Sequence, residues 1–176
     1  MDVVKIACLL GASLPIVVVG ATVALSETVD PPPEEVSPEE ERRLARALCT
    51  EGARMLVKYG HDIGDMATAV LENRMSHKEV VDKLERMASS LEREILELWR
   101  KAEGAEEATQ RVVGAVRSFS KMPPEYIRTV VKYMSLGELS TEAVQALLKS
   151  LSIGMIDVAL DSYCTCLRRA GVICTS

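Results

Sequence analysis

Aromatic residues are scarce in this sequence and make up 3% of its 176 residues. The chain contains one Trp, one Phe and four Tyr. Rings on which bases or sugars could stack are therefore nearly absent, and we expect an aliphatic core. The net charge of −5 argues against a nucleic-acid-binding or polybasic membrane-binding role, because phosphate contacts need clustered Lys and Arg.

Sequence patterns that serve known reactions are absent as well. The chain has no glycine-rich loop for phosphates, no G-x-S-x-G nucleophile elbow and no H-E-x-x-H metalloprotease motif. Its acidic residues are spread around helix surfaces beside Lys and Arg, as expected for solvated faces. We therefore predict a protein that is not an enzyme and that uses no cofactor and no metal.

Amide side chains are also scarce, with one Asn and two Gln in the whole chain. Depletion of these thermolabile residues together with abundant charge is typical of thermophilic proteins. Because hyperthermophiles form disulfides inside the cell too, cysteine content is a weaker indication of the compartment in such a protein.

One long apolar segment lies near the amino terminus, where residues 6–25 carry no charge over 20 positions. As a helix it rises about 30 Å, the thickness of the hydrocarbon core of a bilayer. Lys5 precedes it and acidic residues follow it, so the positive-inside rule predicts a cytoplasmic amino terminus and an extracytoplasmic remainder. The sequence thus predicts a single-pass cell-membrane anchor over residues 1–25. A cleaved signal peptide, which would release a secreted protein, and a buried helix of a cytosolic protein are the alternatives.

An acidic, proline-rich linker follows over residues 26–37. It contains three successive prolines and four acidic side chains before Val36. Successive prolines favour an extended polyproline II chain of about 3.1 Å per residue. We interpret the linker as a stalk between the anchor and an extracytoplasmic domain of residues 38–176.

The pattern after the linker predicts only helices. No stretch of β-branched residues alternates over the length of a strand, and apolar residues recur at helical spacing. Ser37 and Ser76 each begin a capping box, with Glu three residues later. We expect the first helix to end or bend at Gly60 and a shorter one to begin at Asp62. The predicted fold is all-α, with an N-terminal transmembrane helix followed by a bundle of four to six helices.

The longest periodic stretch covers residues 77–103. Its apolar positions form a heptad-like seam of Val80, Leu84, Met87, Leu91, Ile95, Leu98 and Ala102. As the central helix of a bundle, this stretch needs no partner chain. As an unpartnered stripe, it would form a parallel coiled-coil dimer.

Three more helices are expected in the C-terminal half. A weak one covers about residues 105–120 and a long one follows its cap Ser140. Between them we expect a short helix that ends around Gly137 and contains Tyr126, Ile127, Val130, Val131 and Met134. In the long helix one side carries Val144, Leu147, Leu148, Leu151, Met155, Ala159, Tyr163 and Leu167.

Four of the five cysteines lie outside the apolar segment, namely Cys49, Cys164, Cys166 and Cys174. An even number in an exported domain predicts two disulfides. Cys164 follows Leu160 by one helical turn on the apolar side, so we expect Cys164 to pair with Cys49, and Cys166 with Cys174. A four-cysteine zinc site, to which the C-x-C spacing is a poor match, and free buried thiols are the alternatives.

Two short patterns resemble chemical sites without completing one. The first is a partial metal-binding set of His61, Asp62 and Asp65. Its only further imidazole is His77, and a helix cap explains the same residues. The second is the S-x-x-K tetrapeptide of Ser118 and Lys121, in which a lysine can activate a serine, but its companion motifs are absent. We assign neither pattern a catalytic or metal-binding role.

These observations predict a membrane-anchored extracytoplasmic helical protein with a structural or protein-interaction role. Such a protein would belong to a cell-envelope or virion assembly, or serve as an accessory subunit. Its expected partners are other proteins, further copies of itself included, and the membrane through residues 6–25, but no nucleic acid. The alternative is a bundle that senses or binds a small ligand between its helices.

Overall fold

The computed structural model describes residues 36–137 and 139–172. The predicted anchor, nearly all of the linker, and Cys174 lie outside the described residues. Within them the chain forms five α-helices and no strand, which confirms the all-α prediction and the expected number of helices. The described helices belong to one compact unit.

The first helix, α1, covers Pro38–Leu71 without interruption. Its capping box forms as predicted, but the expected end at Gly60 and the new cap at Asp62 are wrong. A Cβ atom on Gly60 would lie 2.9 Å from Cγ1 of Ile156, and the Ser152 hydroxyl donates a 2.7 Å hydrogen bond to the Gly60 carbonyl. Gly60 therefore lets the C-terminal helix approach closely, and this packing outweighs its low helix propensity of about 1 kcal/mol.

The remaining helices are α2 at His77–Glu103, α3 at Gln110–Val116, α4 at Met122–Met134 and α5 at Thr141–Arg169. The second predicted capping box opens α2, and Ser140 caps α5. The weak helix expected over residues 105–120 is only seven residues long, because its cap is Thr109. Pro123 and Pro124 lie in the first turn of α4, where backbone N–H groups have no intrahelical partner, so the missing N–H of proline costs no hydrogen bond.

The two longest helices, α1 and α5, run antiparallel along each other. A disulfide joins Cys49 to Cys166 near one end, and Gly60 contacts Ser152 further along. On its other side α1 packs against α2, and the Tyr59 hydroxyl of α1 donates a hydrogen bond to the Glu94 carboxylate of α2. Thus α1 lies between two antiparallel partners.

The fourth position of the bundle is shared by α4 and α3. Antiparallel α4 covers the first half of α2, where an imidazole nitrogen of His77 lies 3.1 Å from the Met134 carbonyl and Lys121 approaches Glu92. The other half is covered by α3, which packs on α1, α2 and α5. The result is an up-down-up-down four-helix arrangement in which α4 lies diagonal to α1.

The seam predicted over residues 77–103 faces this common core. All seven of its residues are buried, with exposed fractions of 0–8%. The described helices of the same chain therefore cover the seam, which supports the intramolecular interpretation. It is not available for a coiled-coil dimer unless the bundle opens.

By length and composition alone, α5 is long and apolar enough to cross a membrane. It lies at the C-terminal end of the chain, whereas the predicted anchor lies at the other end, outside the described residues. Only 28% of the residues in its most apolar stretch are buried by the bundle. The helix thus has a core-facing side, which carries Leu148, and an exposed side that mixes apolar residues with Lys149 and Asp157.

Candidate functional site

The disulfide joins Cys49 and Cys166, whose Cα atoms are 5.8 Å apart and whose side chains are fully buried. Both predicted pairings, Cys49 with Cys164 and Cys166 with Cys174, are therefore wrong. The bond also removes two of the four ligands of the alternative zinc site.

The phase of α5 explains why the pairing differs. Its buried side follows Val144, Leu148, Leu151, Met155 and Ala159, and Cys166 continues this line seven residues after Ala159. The prediction placed Leu160 on the apolar side, but 60% of Leu160 is exposed. Cys164, one turn further on, shares this outward direction. It is half-buried and makes no disulfide with any described residue.

The partial metal set does not assemble. Asp62 is half-buried, whereas His61 and Asp65 are exposed, all on an uninterrupted helix. His77 is engaged with the carbonyl of Met134 instead. Over residues 36–137 and 139–172, no three His, Cys, Asp or Glu side chains lie close enough to hold one ion.

The S-x-x-K tetrapeptide lies mainly in the turn between α3 and α4, so its two side chains are not one helical turn apart. Lys121 is directed to Glu92, with Nζ 3.8 Å from a carboxylate oxygen. The Ser118 hydroxyl is buried and has no hydrogen-bond partner among the described residues. A serine activated by this lysine does not form here.

A buried polar pair that sequence reasoning missed links α1 and α2. The Tyr59 hydroxyl donates a 2.6 Å hydrogen bond to a carboxylate oxygen of Glu94, and the side chain of Tyr59 is buried. Burial and the hydrogen bond to Glu94 raise the pKa of Tyr59 to about 12. Such a phenol is held neutral and positioned as a structural contact rather than as an acid or base.

Large apolar side chains form an exposed line along α4 and the turn after it, here called the α4 stripe. Its members are Met122, Tyr126, Tyr133 and Leu136, with exposed fractions of 71%, 49%, 57% and 76%. Met122, Tyr126 and Tyr133 are four and seven residues apart, which places them on one side of the helix, and Leu136 follows in the turn after it. The core side of α4 carries other residues, Ile127, Val131 and Met134 among them.

The α4 stripe continues onto α5. A Cβ atom on Gly154 would lie 3.9 Å from a ring carbon of Tyr126, so the ring covers the glycine. Because α4 and α5 are antiparallel, the same register places Met122 near Val158, which is 40% exposed. Contiguous apolar surface of this kind marks interaction sites more often than scattered exposed residues do.

A second surface, the α1–α5 groove, lies between the two longest helices. It encloses about 420 Å³ and is lined chiefly by apolar parts of Ala53, Val57 and Lys58 on α1 and Leu160 and Tyr163 on α5. Arg54 and His61 also border it. The groove therefore combines an apolar floor with a cationic edge.

Five cationic side chains lie along α1 and wind around part of its circumference; here called the basic ridge, they are Arg42, Arg43, Arg46, Arg54 and Lys58. All five side chains are exposed, and none forms an ion pair with an acidic residue of the described chain. From residue 42 to residue 61 α1 carries a single acidic residue, Glu51, which is bound to Lys101. The overall net charge of −5 hides this local excess of positive charge.

The described residues therefore form a helical bundle with one internal disulfide and two exposed apolar surfaces, the α4 stripe and the α1–α5 groove. Comparisons with known protein families, curated proteins and solved structures return no match to this chain. The assignment of function therefore rests on the surfaces themselves. In the sequence the α4 stripe is visible only as large apolar residues at helical spacing, namely Met122, Tyr126 and Tyr133. Periodicity alone does not show whether such residues face the core or the solvent.

Proposed function

We propose that this chain is a membrane-anchored helical protein whose extracytoplasmic bundle binds another protein, as a structural component or accessory subunit of a larger assembly. The observation that carries the proposal is the α4 stripe. Aromatic side chains and Met are enriched at the centres of protein interfaces, and two Tyr and one Met lie on this line. A rigid helix that presents anchors at helical spacing fits an apolar groove on a partner.

The disulfide supports the extracytoplasmic part of the proposal. The bond between Cys49 and Cys166 is stable in an oxidising environment, and export through an N-terminal apolar segment supplies one. The bond also fixes α5 to α1, which keeps the surface of the bundle rigid. Rigid surfaces lose less conformational entropy when they bind.

The anchor in this proposal is the segment 6–25 rather than α5. The exposed side of α5 includes Lys149, Asp157 and Asp161, and charged side chains are costly in a bilayer. Residues 6–25 carry no charge. Protease accessibility tests this orientation. Protease added to intact cells should cut the bundle, whereas protease added to inverted membrane vesicles should leave it intact.

The binding role is tested by isolating the tagged full-length protein from solubilised membranes of its source. We expect a stoichiometric partner that is lost when Tyr126 and Tyr133 are both replaced by Glu. Lys132→Glu is the matched control, because Lys132 is an exposed α4 residue outside the α4 stripe. Retention of the partner by the double variant, or its equal loss in the control, would contradict a role for the α4 stripe. Circular dichroism checks that each variant is folded.

A further inference from the structure

We propose that α5 forms a symmetric dimer by packing antiparallel against α5 of a second copy of this chain. The surface involved, here called the α5 face, consists of Ala146, Lys149, Ile153, Asp157 and Leu160, all of which are exposed. At about 100° per residue, they lie within about 80° of the circumference of the helix. The α5 face is distinct from the α4 stripe, so the inference does not depend on the proposed function.

The α5 face points away from the rest of the bundle. On one side of Ile153, the Ser152 hydroxyl donates a hydrogen bond to the Gly60 carbonyl of α1. On the other side, Gly154 lies beneath the Tyr126 ring of α4. Successive residues turn by about 100° around a helix, so Ile153 points between the directions of α1 and α4 and into solvent. Its side chain is accordingly 61% exposed.

The α5 face is self-complementary about Ile153. Lys149 and Asp157 lie four residues on either side of it, and Ala146 and Leu160 lie seven residues on either side. A two-fold axis beside Ile153 makes the paired helices antiparallel and brings each Lys149 level with Asp157 of the second copy. The same axis brings each Ala146 level with Leu160 of the second copy. Opposite charges and apolar side chains therefore meet in one pairing, with isoleucine against isoleucine at its centre.

The charges select the antiparallel orientation. Lys149 and Asp157 form no ion pair with any described residue, so both are available to a second copy. The axes of packed helices are about 8–10 Å apart, a distance that a lysine and an aspartate on facing sides can bridge. Parallel helices in register would instead place lysine beside lysine and aspartate beside aspartate. Such like-charge contacts are destabilising.

Apolar side chains supply the attraction between the two copies. Ile153 and Leu160 are 61% and 60% exposed, so the bundle leaves most of their surface in water. Ala146 is small, which leaves room for Leu160 of the second copy and lets the helices approach closely. Leu160 also borders the α1–α5 groove, which extends the apolar surface beyond α5. Contiguous exposed apolar surface of this kind is typical of a protein interface.

Disulfide cross-linking of the full-length protein in detergent tests the dimer and its orientation. Ile153→Cys and Ala146→Cys are each introduced into a Cys164→Ala background, which by itself reports linking through the remaining cysteines. Mild oxidation should link Ile153→Cys into dimers at about fivefold or more above this background, because the two-fold axis brings the two copies of residue 153 together. Ala146→Cys is the matched control. In the antiparallel pair its two copies are about 21 Å apart along the helices, beyond the reach of a disulfide.

Charge reversal provides a second measurement, with an internal rescue. Lys149→Glu and Asp157→Lys should each raise the dissociation constant of the dimer by about tenfold or more, because symmetry converts two attractions into two repulsions. The two substitutions combined should restore the constant to within about threefold of the parent value, since the pairing is then merely exchanged. Sedimentation equilibrium in density-matched detergent measures the constants.

The matched controls for charge reversal are Arg86→Glu and Asp82→Lys. Both residues are exposed on α2 and form no described ion pair. These variants should dimerise as the parent does, and circular dichroism confirms that every variant is folded.

Several outcomes would overturn the proposal. A protein that stays monomeric, or Ile153→Cys that links no better than the background, would show that the α5 faces do not meet. Equal linking of Ile153→Cys and Ala146→Cys would show parallel helices. A dimer that the charge reversals leave unchanged, or that their combination does not restore, would be held together by another surface. Failure of the α4 stripe in its own test would change none of these results.

Discussion

Replacing Cys49 and Cys166 by alanine is expected to lower the free energy of unfolding by about 4–5 kcal/mol. The disulfide joins residues 117 positions apart, and the chain-entropy model assigns about 4.9 kcal/mol to a loop of that length. For a domain of this size, 1 kcal/mol shifts the melting temperature by about 3–4 °C. We therefore expect the double variant to melt about 15 °C below the parent protein.

Cys164→Ala is the matched control for this measurement. Cys164 lies two residues from Cys166 on the same helix, but it is half-buried and bonded to no described residue. We expect the free energy of unfolding of this variant to change by less than about 1 kcal/mol. Thermal melts followed by circular dichroism, with and without reductant, compare the three proteins, and reductant should destabilise only those that retain the disulfide.

Peptide mapping under non-reducing conditions checks the pairing itself. We expect a peptide containing Cys49 to be bound to one containing Cys166. Because trypsin does not cleave between Cys164 and Cys166, fragmentation of the linked peptide, or a variant with a cleavage site between them, must show which of the two is bonded. A bond at Cys164, or a larger loss of stability in Cys164→Ala than in Cys166→Ala, would refute the helix phase derived for α5.

Two further predictions concern the packing and the polar pair of α1. Gly52→Ala should destabilise the bundle by about 2 kcal/mol, because the new Cβ would lie 2.7 Å from the buried ring of Phe119. Gly114→Ala, at a helical glycine with nothing within 4 Å of the new Cβ, should stabilise the bundle by about 0.5–1 kcal/mol. Urea denaturation measures both variants, and equal changes in their free energies of unfolding would contradict this contrast. The raised pKa of Tyr59, about 12 against 10.0, favours the neutral phenol in the folded state. Its contribution to stability is therefore complete below pH 10 and is lost as the pH rises to 12. Urea denaturation between pH 10 and pH 12 should therefore show a smaller loss of stability in Tyr59→Phe than in the parent protein.

Local features of the fold followed from local sequence. The two capping boxes at Ser37 and Ser76 form as predicted, since their hydrogen bonds join residues only three apart. The seam of α2 is buried because its apolar positions are dense enough to define one face of a helix. Gly60 shows the limit of such reasoning, since a glycine reads as a helix end unless another helix packs on it.

The candidate surfaces could be predicted only in part. Periodicity placed Tyr126 and Leu160 on helices, but α4 and α5 are apolar on more than one side, so composition did not indicate which side faces the core. The basic ridge was hidden in a net charge of −5, because acidic residues elsewhere balance it.

The sequence by itself determined the helical class, the caps, the buried seam of α2 and the presence of an uncharged segment long enough to cross a membrane. These properties depend on the order and spacing of residues along one chain segment. The tertiary structure decided that Cys166 rather than Cys164 meets Cys49, that α1 continues through Gly60, and that the α4 stripe faces outward. Those outcomes depend on the rotation of each helix about its axis, which is set by packing against helices far away in sequence.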